Sequence, residues 1–329
     1  MRKIQRRQFV IAGSALLAAP LASAQTAFPS KPIRIVVGYP PGGIVDTAAR
    51  LIGEHMTKLV GQPVVVDNRT GAGGIIGAAA VAKAAPDGHT VLLTIQYPLV
   101  NAQAMVKSLP YDPNKDFAFV TPILAGAMLL CVHKSVPATN LVQLVEYAKR
   151  TPNFAIGSWA QGSQGHLTIE DINKRYGLNI THVVYKGEGP MAQDLMGGQI
   201  PGGMGSLTGM AGLIKAGHIR PIAATSAPNG ARTSMLSEVA TFAEQGLPES
   251  AVMRSGWVGV VAPSGTPPTT IAKLNELIRA ALAQPDIRSK LGNLGLEAFT
   301  STPAEFEAHF RADTPLWIKA IQDAGIKPE

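Results

Sequence analysis

Runs of β-branched residues alternate along the chain with stretches whose apolar positions recur every three or four residues. Segments 33–37, 64–66 and 91–95 read as strands, and the segments between them, 44–60 and 75–84, read as helices. Over 44–60, Ile44, Ala48, Leu51, Ile52 and Leu59 fall on one stripe, the pattern of a helix laid against a core. A second series has strands at 129–133, 154–156, 182–185 and 219–224, with helical patterns near 141–149, 166–176, 193–196 and 212–216. A strand at 257–263 and a helix at 268–283 come after it. Alternation at this spacing predicts parallel, doubly wound α/β sheets. The length beyond residue 24 exceeds what one core serves, which predicts two domains of roughly 150 residues each.

The first 24 residues depart from this pattern. Arg2, Lys3, Arg6 and Arg7 precede an uncharged apolar stretch at 9–21, too short for the ~20 residues of a spanning helix. Ala22-Ser23-Ala24 then offers small residues to a signal peptidase. A signal peptide cleaved before Gln25 is expected, with export by the general secretory or the twin-arginine route. Removing it changes the charge: the whole chain carries +7, but four cations lie in the leader and the rest carries only +3. No run of five or more basic residues occurs, so nucleic acid is not an expected partner. Hydrophobic content of 46% with 16% charged residues excludes disorder as the main state. Cys131 stands alone among apolar neighbours, which excludes an intrachain disulfide and points to packing.

Catalytic and cofactor motifs are sparse. In Gly71-Ala72-Gly73-Gly74-Ile75-Ile76-Gly77 the dinucleotide spacing fails at Ile76. No phosphate-binding loop, nucleophile elbow or close His pair occurs, so neither cofactor nor metal is expected. What recurs is a glycine-rich turn between strand and helix. Tyr39-Pro40-Pro41-Gly42-Gly43 leads into Ile44, Thr70-Gly71-Ala72-Gly73-Gly74 into Ile75, and Ser158-Trp159-Ala160-Gln161-Gly162-Ser163 into the helix of His166. Each turn leaves helix-opening N–H groups at the positive end of the dipole, approachable because glycine lacks a Cβ. A carboxylate suits that arrangement, and in open α/β sheets such turns lie where ligands bind. Asp46, in the first turn of its helix, is expected to orient that turn and not to touch an anion.

These residues resemble a family. Ile35-Val36-Val37-Gly38-Tyr39-Pro40-Pro41-Gly42-Gly43, with Asp46 and Arg50, is similar to the opening of the Bug-type extracytoplasmic solute receptors of tripartite tricarboxylate transporters. The likeness continues in Gly61-Gln62-Pro63, Pro86-Asp87-Gly88-His89-Thr90, Gly162-Ser163 with His166-Leu167, Tyr185-Lys186-Gly187, and Trp257 with Ala262-Pro263, over roughly 31–326. It implies an α/β fold like the type II periplasmic-binding proteins. Two doubly wound lobes, 25–125 plus 255–329 and 126–254, would be joined by two crossing segments near 125–127 and 253–255, the place of the final helix being open. It also implies a monomeric periplasmic receptor, not an enzyme, that delivers a small carboxylate to a membrane permease of the tripartite tricarboxylate type. Its ligand would meet Tyr39, Pro41, Gly42, Gly43, Ile44, Gly71, Ala72, Gly73 and Gly74 from one lobe. Ser158, Trp159, Gly162, Ser163, His166, Tyr185 and Lys186 would come from the other.

The chain departs from the family at Ile44, Gly165, Val184 and Pro201, where a small hydroxyl residue, Ser, Pro and an acidic residue are usual. Lost hydroxyls and an added apolar group favour a carboxylate with an apolar or aromatic body, a dicarboxylate or an aromatic acid, over citrate. Trp159 has two open readings, stacking on such a ring or packing under its own loop. The alternative function is an exported α/β hydrolase or lyase using Ser163 and His166, although no acid stands in an orienting position.

Overall fold

The computed structural model describes residues 28–185, 187–226, 232–247, 256–293 and 296–328. The leader and its cleavage site, Lys186 and the expected second crossing at 253–255 lie outside the described residues.

The chain opens with β1 (Ile33–Val37), α1 (Ile44–Val60), β2 (Val64–Asn68), α2 (Ile75–Ala82), β3 (Thr90–Ile95), α3 (Ala102–Met105) and β4 (Phe117–Gly126). Next come β5 (Met128–His133), α4 (Leu141–Arg150), β6 (Ala155–Ser158), α5 (Gln164–Tyr176) and β7 (Thr181–Val184). These lead into α6 (Glu188–Met196), β8 (Gly202–Ser206), α7 (Leu207–Lys215) and β9 (Ile219–Ala224). The last elements are β10 (Trp257–Pro263), α8 (Pro268–Leu282), α9 (Pro285–Gly292), β11 (Leu296–Ala298) and α10 (Pro303–Asp323).

Strand alternation sorts the side chains into cores on both faces of two sheets, which is why the strands read as continuous apolar runs. In the six-stranded sheet, ordered β11-β4-β10-β3-β1-β2, Ile35, Val37 and Leu93 share a core with Ile52 and Met56 of α1 and Leu274 of α8. Val36 and Leu92 belong to the other core, with Val81 of α2 and Phe306 and Phe310 of α10. Phe119 of β4 sets its ring 5.2 Å from Phe306 and 4.7 Å from Phe310, which fastens α10 to this sheet. In the five-stranded sheet, ordered β7-β6-β8-β5-β9, Leu129 and Cys131 pack with Leu195 and Met210. Leu130 and Val132 pack with Leu141 and Ile169. Cys131 is fully buried and burial pushes its thiol up, as a packing residue requires. Among the described residues no helix is long and apolar enough to cross a membrane.

The sheets are mixed and not wholly parallel. β1 pairs in parallel with β2 and β3, and β6 with β7 and β8. β10 runs antiparallel to β3 and β4, β11 to β4, and β5 to β8 and β9. The connection is the cause. β4 leaves the first sheet and, after Ala127, becomes β5 of the second; the chain comes back as β10 beside β4. Because β10 begins beside the end of β4, with Trp257 opposite Ala125, the two strands run in opposite senses. Two elements escape the sequence pattern. β4 is interrupted by Pro122 at a shift in its register with β10. The helix α10 contains Pro315.

Glycines at the exit of β1 serve packing. A Cβ on Gly38 would sit 2.7 Å from Gly74 Cα, and one on Gly77 would sit 2.9 Å from Gly38 Cα. The glycine run at 71–77 therefore lets α2 lie directly on the backbone that leaves β1.

Candidate ligand-binding site

A cavity of about 180 Å³ lies between the two sheets. Ile44 opens α1 onto it, Gln96 and Tyr97 extend β3 into it, and Asn101, Trp257, Val258 and Leu296 add further wall from the first sheet. The second sheet supplies Met128, Trp159, Ser163 and Gln164, with Ser206 and Thr208 where β8 enters α7. Gly126, Ala127 and Gly256 bring in the crossing itself. The carboxyl ends of β3, β6 and β8 thus meet at one place, as the rule for open α/β sheets requires.

Three helices begin at this cavity, and the chain treats each start differently. The start of α1 has no side-chain cap. Behind it the buried Asp46 carboxylate accepts from Gly42 N–H, Asn68 Nδ2, and Arg50 Nε and Nη2, all at 2.9 Å. The Arg50 bonds above all hold its carboxyl down to about 2, against the opposing effect of burial, with Gly42 and Asn68 helping. Asp46 therefore ties the 39–43 turn to α1, the orienting role expected of it.

At α5, Ser163 Oγ accepts from His166 N–H at 3.3 Å. Ser158 Oγ lies 3.0 Å from Ser163 Oγ and 2.7 Å from His182 Nε2. Gly162 N–H donates to His166 Nδ1 at 3.0 Å, and the His166 and His182 rings stack with centroids 3.8 Å apart. Burial pushes both imidazoles down, His182 to about 4 with a contribution from its His166 neighbour. Both rings are therefore neutral at neutral pH.

At α7, Ser206 Oγ accepts from Gly209 N–H at 3.0 Å. Glu188, the first residue of α6, takes Ser206 N–H on Oε1 at 2.6 Å and the Ser206 hydroxyl at 2.9 Å on Oε2. Burial pushes the Glu188 carboxyl up, and the Ser206 bonds oppose that rise.

Of the residues expected at the ligand, Ile44, Trp159 and Ser163 line the cavity. Ser158 and His166 are buried in the hydrogen-bonded cluster around Ser163 and Gly162. Tyr185 donates its hydroxyl to Asp194 Oδ2 at 2.8 Å, and burial first, then Asp194, pushes it up to about 12. Pro41, Gly42 and Gly43 are exposed on their turn. The expectation that Gly42 and Gly74 offer their amides needs correcting: Asp46 takes the Gly42 N–H, and the Gly71 carbonyl takes the Gly74 N–H at 3.0 Å. Tyr39 donates its hydroxyl to the Gly73 carbonyl at 2.9 Å. A Cβ on Gly73 would lie 2.6 Å from the Tyr97 ring, so the Gly71-Ala72-Gly73-Gly74 turn adjoins the cavity through Tyr97.

Trp159 sits between the cavity and its own loop. It lines the cavity, and a Cβ on Gly165 would stand 3.0 Å from its ring. That Cβ would also lie 2.8 Å from Ser158 Cβ and 2.9 Å from Met204 Cβ, so Gly165 is what lets Trp159 pack here. Sequence reasoning does not reach Gln96, Tyr97, Asn101, Met128, Gln164, Ser206, Thr208 or Leu296. The strand-end rule applied to β3 and β8 finds Gln96, Tyr97 and Ser206. Leu296 carries no local signal.

The sequence profile described as the tripartite tricarboxylate transporter family receptor matches residues 48–325. The chain is 33% identical to Protein BugT of Bordetella pertussis, over 97% of this chain and 96% of that one. Among solved structures, R. palustris Rpa4515 with adipate is 35% identical, with a TM-score of 0.79 over 92% of this chain and 100% of that one. MatC from Rhodopseudomonas palustris with bound malate is 30% identical, with a TM-score of 0.74 over 89% and 100%. Two α/β layers with a cavity between them, and a match along nearly the whole described chain, agree: the chain belongs to the tripartite tricarboxylate transporter family receptors, the Bug-type periplasmic solute receptors.

Proposed function

We propose that this receptor captures a small carboxylate between its two lobes and hands it to a membrane permease of the tripartite tricarboxylate type. The observation that carries the reading is the meeting of three helix N-termini at one cavity, with α7 already holding Glu188, so that the starts of α1 and α5 favour an anion. Adipate in Rpa4515 and malate in MatC support it. The proposed lobes are 25–125 plus 255–329 and 126–254, joined by crossing segments near 125–127 and 253–255, with α10 on the first lobe through Phe119. Ile44, Trp159 and Ser163 are the proposed ligand contacts carried over from the sequence. Export would cleave the leader before Gln25. N-terminal sequencing of exported protein should begin at Gln25, and retained Met1 would refute the leader.

The hydrolase alternative needs the His166 ring at the Ser163 hydroxyl. Instead, His166 Nδ1 accepts from Gly162, and among the described residues no hydrogen bond joins that ring to Ser163. The test begins with native mass spectrometry of the purified protein, which identifies a co-purified acid. Calorimetry then compares this acid with its methyl ester. Losing a charge-assisted acceptor should cost about 2–4 kcal/mol, roughly 30- to 1000-fold in affinity. Equal affinity for acid and ester would refute the anion site.

A further inference from the structure

We propose that the cavity accepts one carboxylate only, carried on an apolar body the size of a single ring, and that Glu188 sets this limit by occupying the α7 terminus a second carboxylate would need. The proposal rests on the receptor reading above and narrows its ligand class.

The place held by Glu188 is built for a carboxylate. Its Oε1 takes the Ser206 N–H at 2.6 Å, and both its oxygens receive the Ser206 hydroxyl at 2.9–3.0 Å. Ser206 lines the cavity, so the donors it could offer a ligand there are committed to a resident anion. Two glycines clear the space: a Cβ on Gly205 would lie 2.6 Å from Glu188 Oε1, and one on Gly209 would clash with the same carboxylate. A ligand carboxylate brought to this wall meets a like charge across the Ser206 rim, where partial exclusion of water strengthens repulsion.

The rest of the wall sorts by chemistry. Gln96, Asn101, Ser163 and Gln164 are polar, and of the three helix starts α1 is served by Asp46 and α7 by Glu188, which leaves the α5 side for the one carboxylate. Opposite chemistry comes from Ile44, Met128, Trp159, Trp257 and Leu296. Among the described residues, none that lines the cavity carries a formal charge. The volume of about 180 Å³ suits a single ring, since a dry aliphatic cavity of about 150 Å³ binds benzene. Trp159 and Trp257 add aromatic surface to this wall, against which a flat apolar body packs.

Titration calorimetry on the mature protein, stripped of co-purified ligand, tests this with benzoate, phenylacetate, adipate and malate. Benzoate or phenylacetate should bind at least tenfold more tightly than either diacid. In Glu188→Gln, which keeps the shape and removes the charge, the ratio of diacid to monoacid affinity should rise at least tenfold. Melting profiles verify that the variant folds; if it does not, the wild-type ranking carries the test alone. A wild type that prefers adipate or malate, or a folded Glu188→Gln with an unmoved ratio, overturns the one-carboxylate limit and leaves the receptor reading standing. Binding of none of the four overturns both.

Discussion

Asp46→Asn removes one charge from beneath the 39–43 turn and nearly preserves its shape. Four donors converge on the Asp46 oxygens, and an asparagine would point its own NH₂ at some of them. The carboxyl is held at about 2, against an ordinary value of 3.8. A shift of nearly two units corresponds to about 2 kcal/mol of stability. The folded value is depressed, so this stabilisation is fully present above the ordinary value and is lost as pH falls through the folded one. At neutral pH, Asp46→Asn should therefore be less stable by about 2 kcal/mol, or roughly 4–8 °C in melting temperature. By pH 3 the gap should shrink to about half, because the wild type is by then protonating on unfolding. Urea midpoints of both proteins at several pH values between 7 and 3, with matched slopes, measure this gap. A gap of the same size at both ends, or none at neutral pH, would refute the assignment of the charge to this network.

His182 should mark the acid limb differently. Its folded value of about 4 lies below the ordinary 6.5, so stability is full above about 6.5 and falls toward pH 4, by at most about 3 kcal/mol; His182→Gln should flatten that limb in denaturation midpoints. Gly165→Ser places a Cβ within 3.0 Å of Ser158, Met204 and Trp159. It should cost about 1–3 kcal/mol, and an unchanged melting temperature would count against that close packing. Thr302→Ala breaks the capping box with Glu305 that opens α10. A loss of about 1 kcal/mol in calorimetric stability is expected, and none is expected for the exposed Leu316→Ala on the same helix.

Hydrophobic patterning was enough to read most of the fold. The 44–60 pattern became α1, though its buried face is carried by Val45, Ala48, Ala49, Ile52 and Met56 while Leu59 of the expected stripe is exposed. The runs around 33–37, 91–95, 129–133 and 257–263 became core strands. What patterning lacks is direction. Nothing in Trp257–Pro263 says that it inserts antiparallel beside β4, because that depends on where the chain has been in between. Prolines at 122 and 315 hide β4 and half of α10, since packing on Phe119 overrides a local penalty the sequence shows plainly. At the site, glycine turns mark helix starts correctly, yet glycine spacing cannot tell an amide offered to a ligand from one used internally. Gly42 is spent on Asp46, a partner four residues away. Ser206 and Glu188 are 18 positions apart, and only the sheet brings them together.

The place of β10 between β3 and β4 governs the order in which the chain can fold. Trp257 stands opposite Ala125 across the ladder, so pairing them in an otherwise unfolded chain closes a loop of more than a hundred residues. The intervening sheet shortens that closure. Leu129 pairs with Ala224, which sets the first strand of the inserted segment beside its last and leaves 32 residues between Ala224 and Trp257. Once those strands have paired, the loop left to close between β4 and β10 shrinks from more than a hundred residues to a few tens. A chain that ends before Trp257 leaves β3 and β4 with facing edges and no strand to join them. The first-made sheet therefore waits for one of the last-made strands, while the middle of the chain is free to assemble ahead of both.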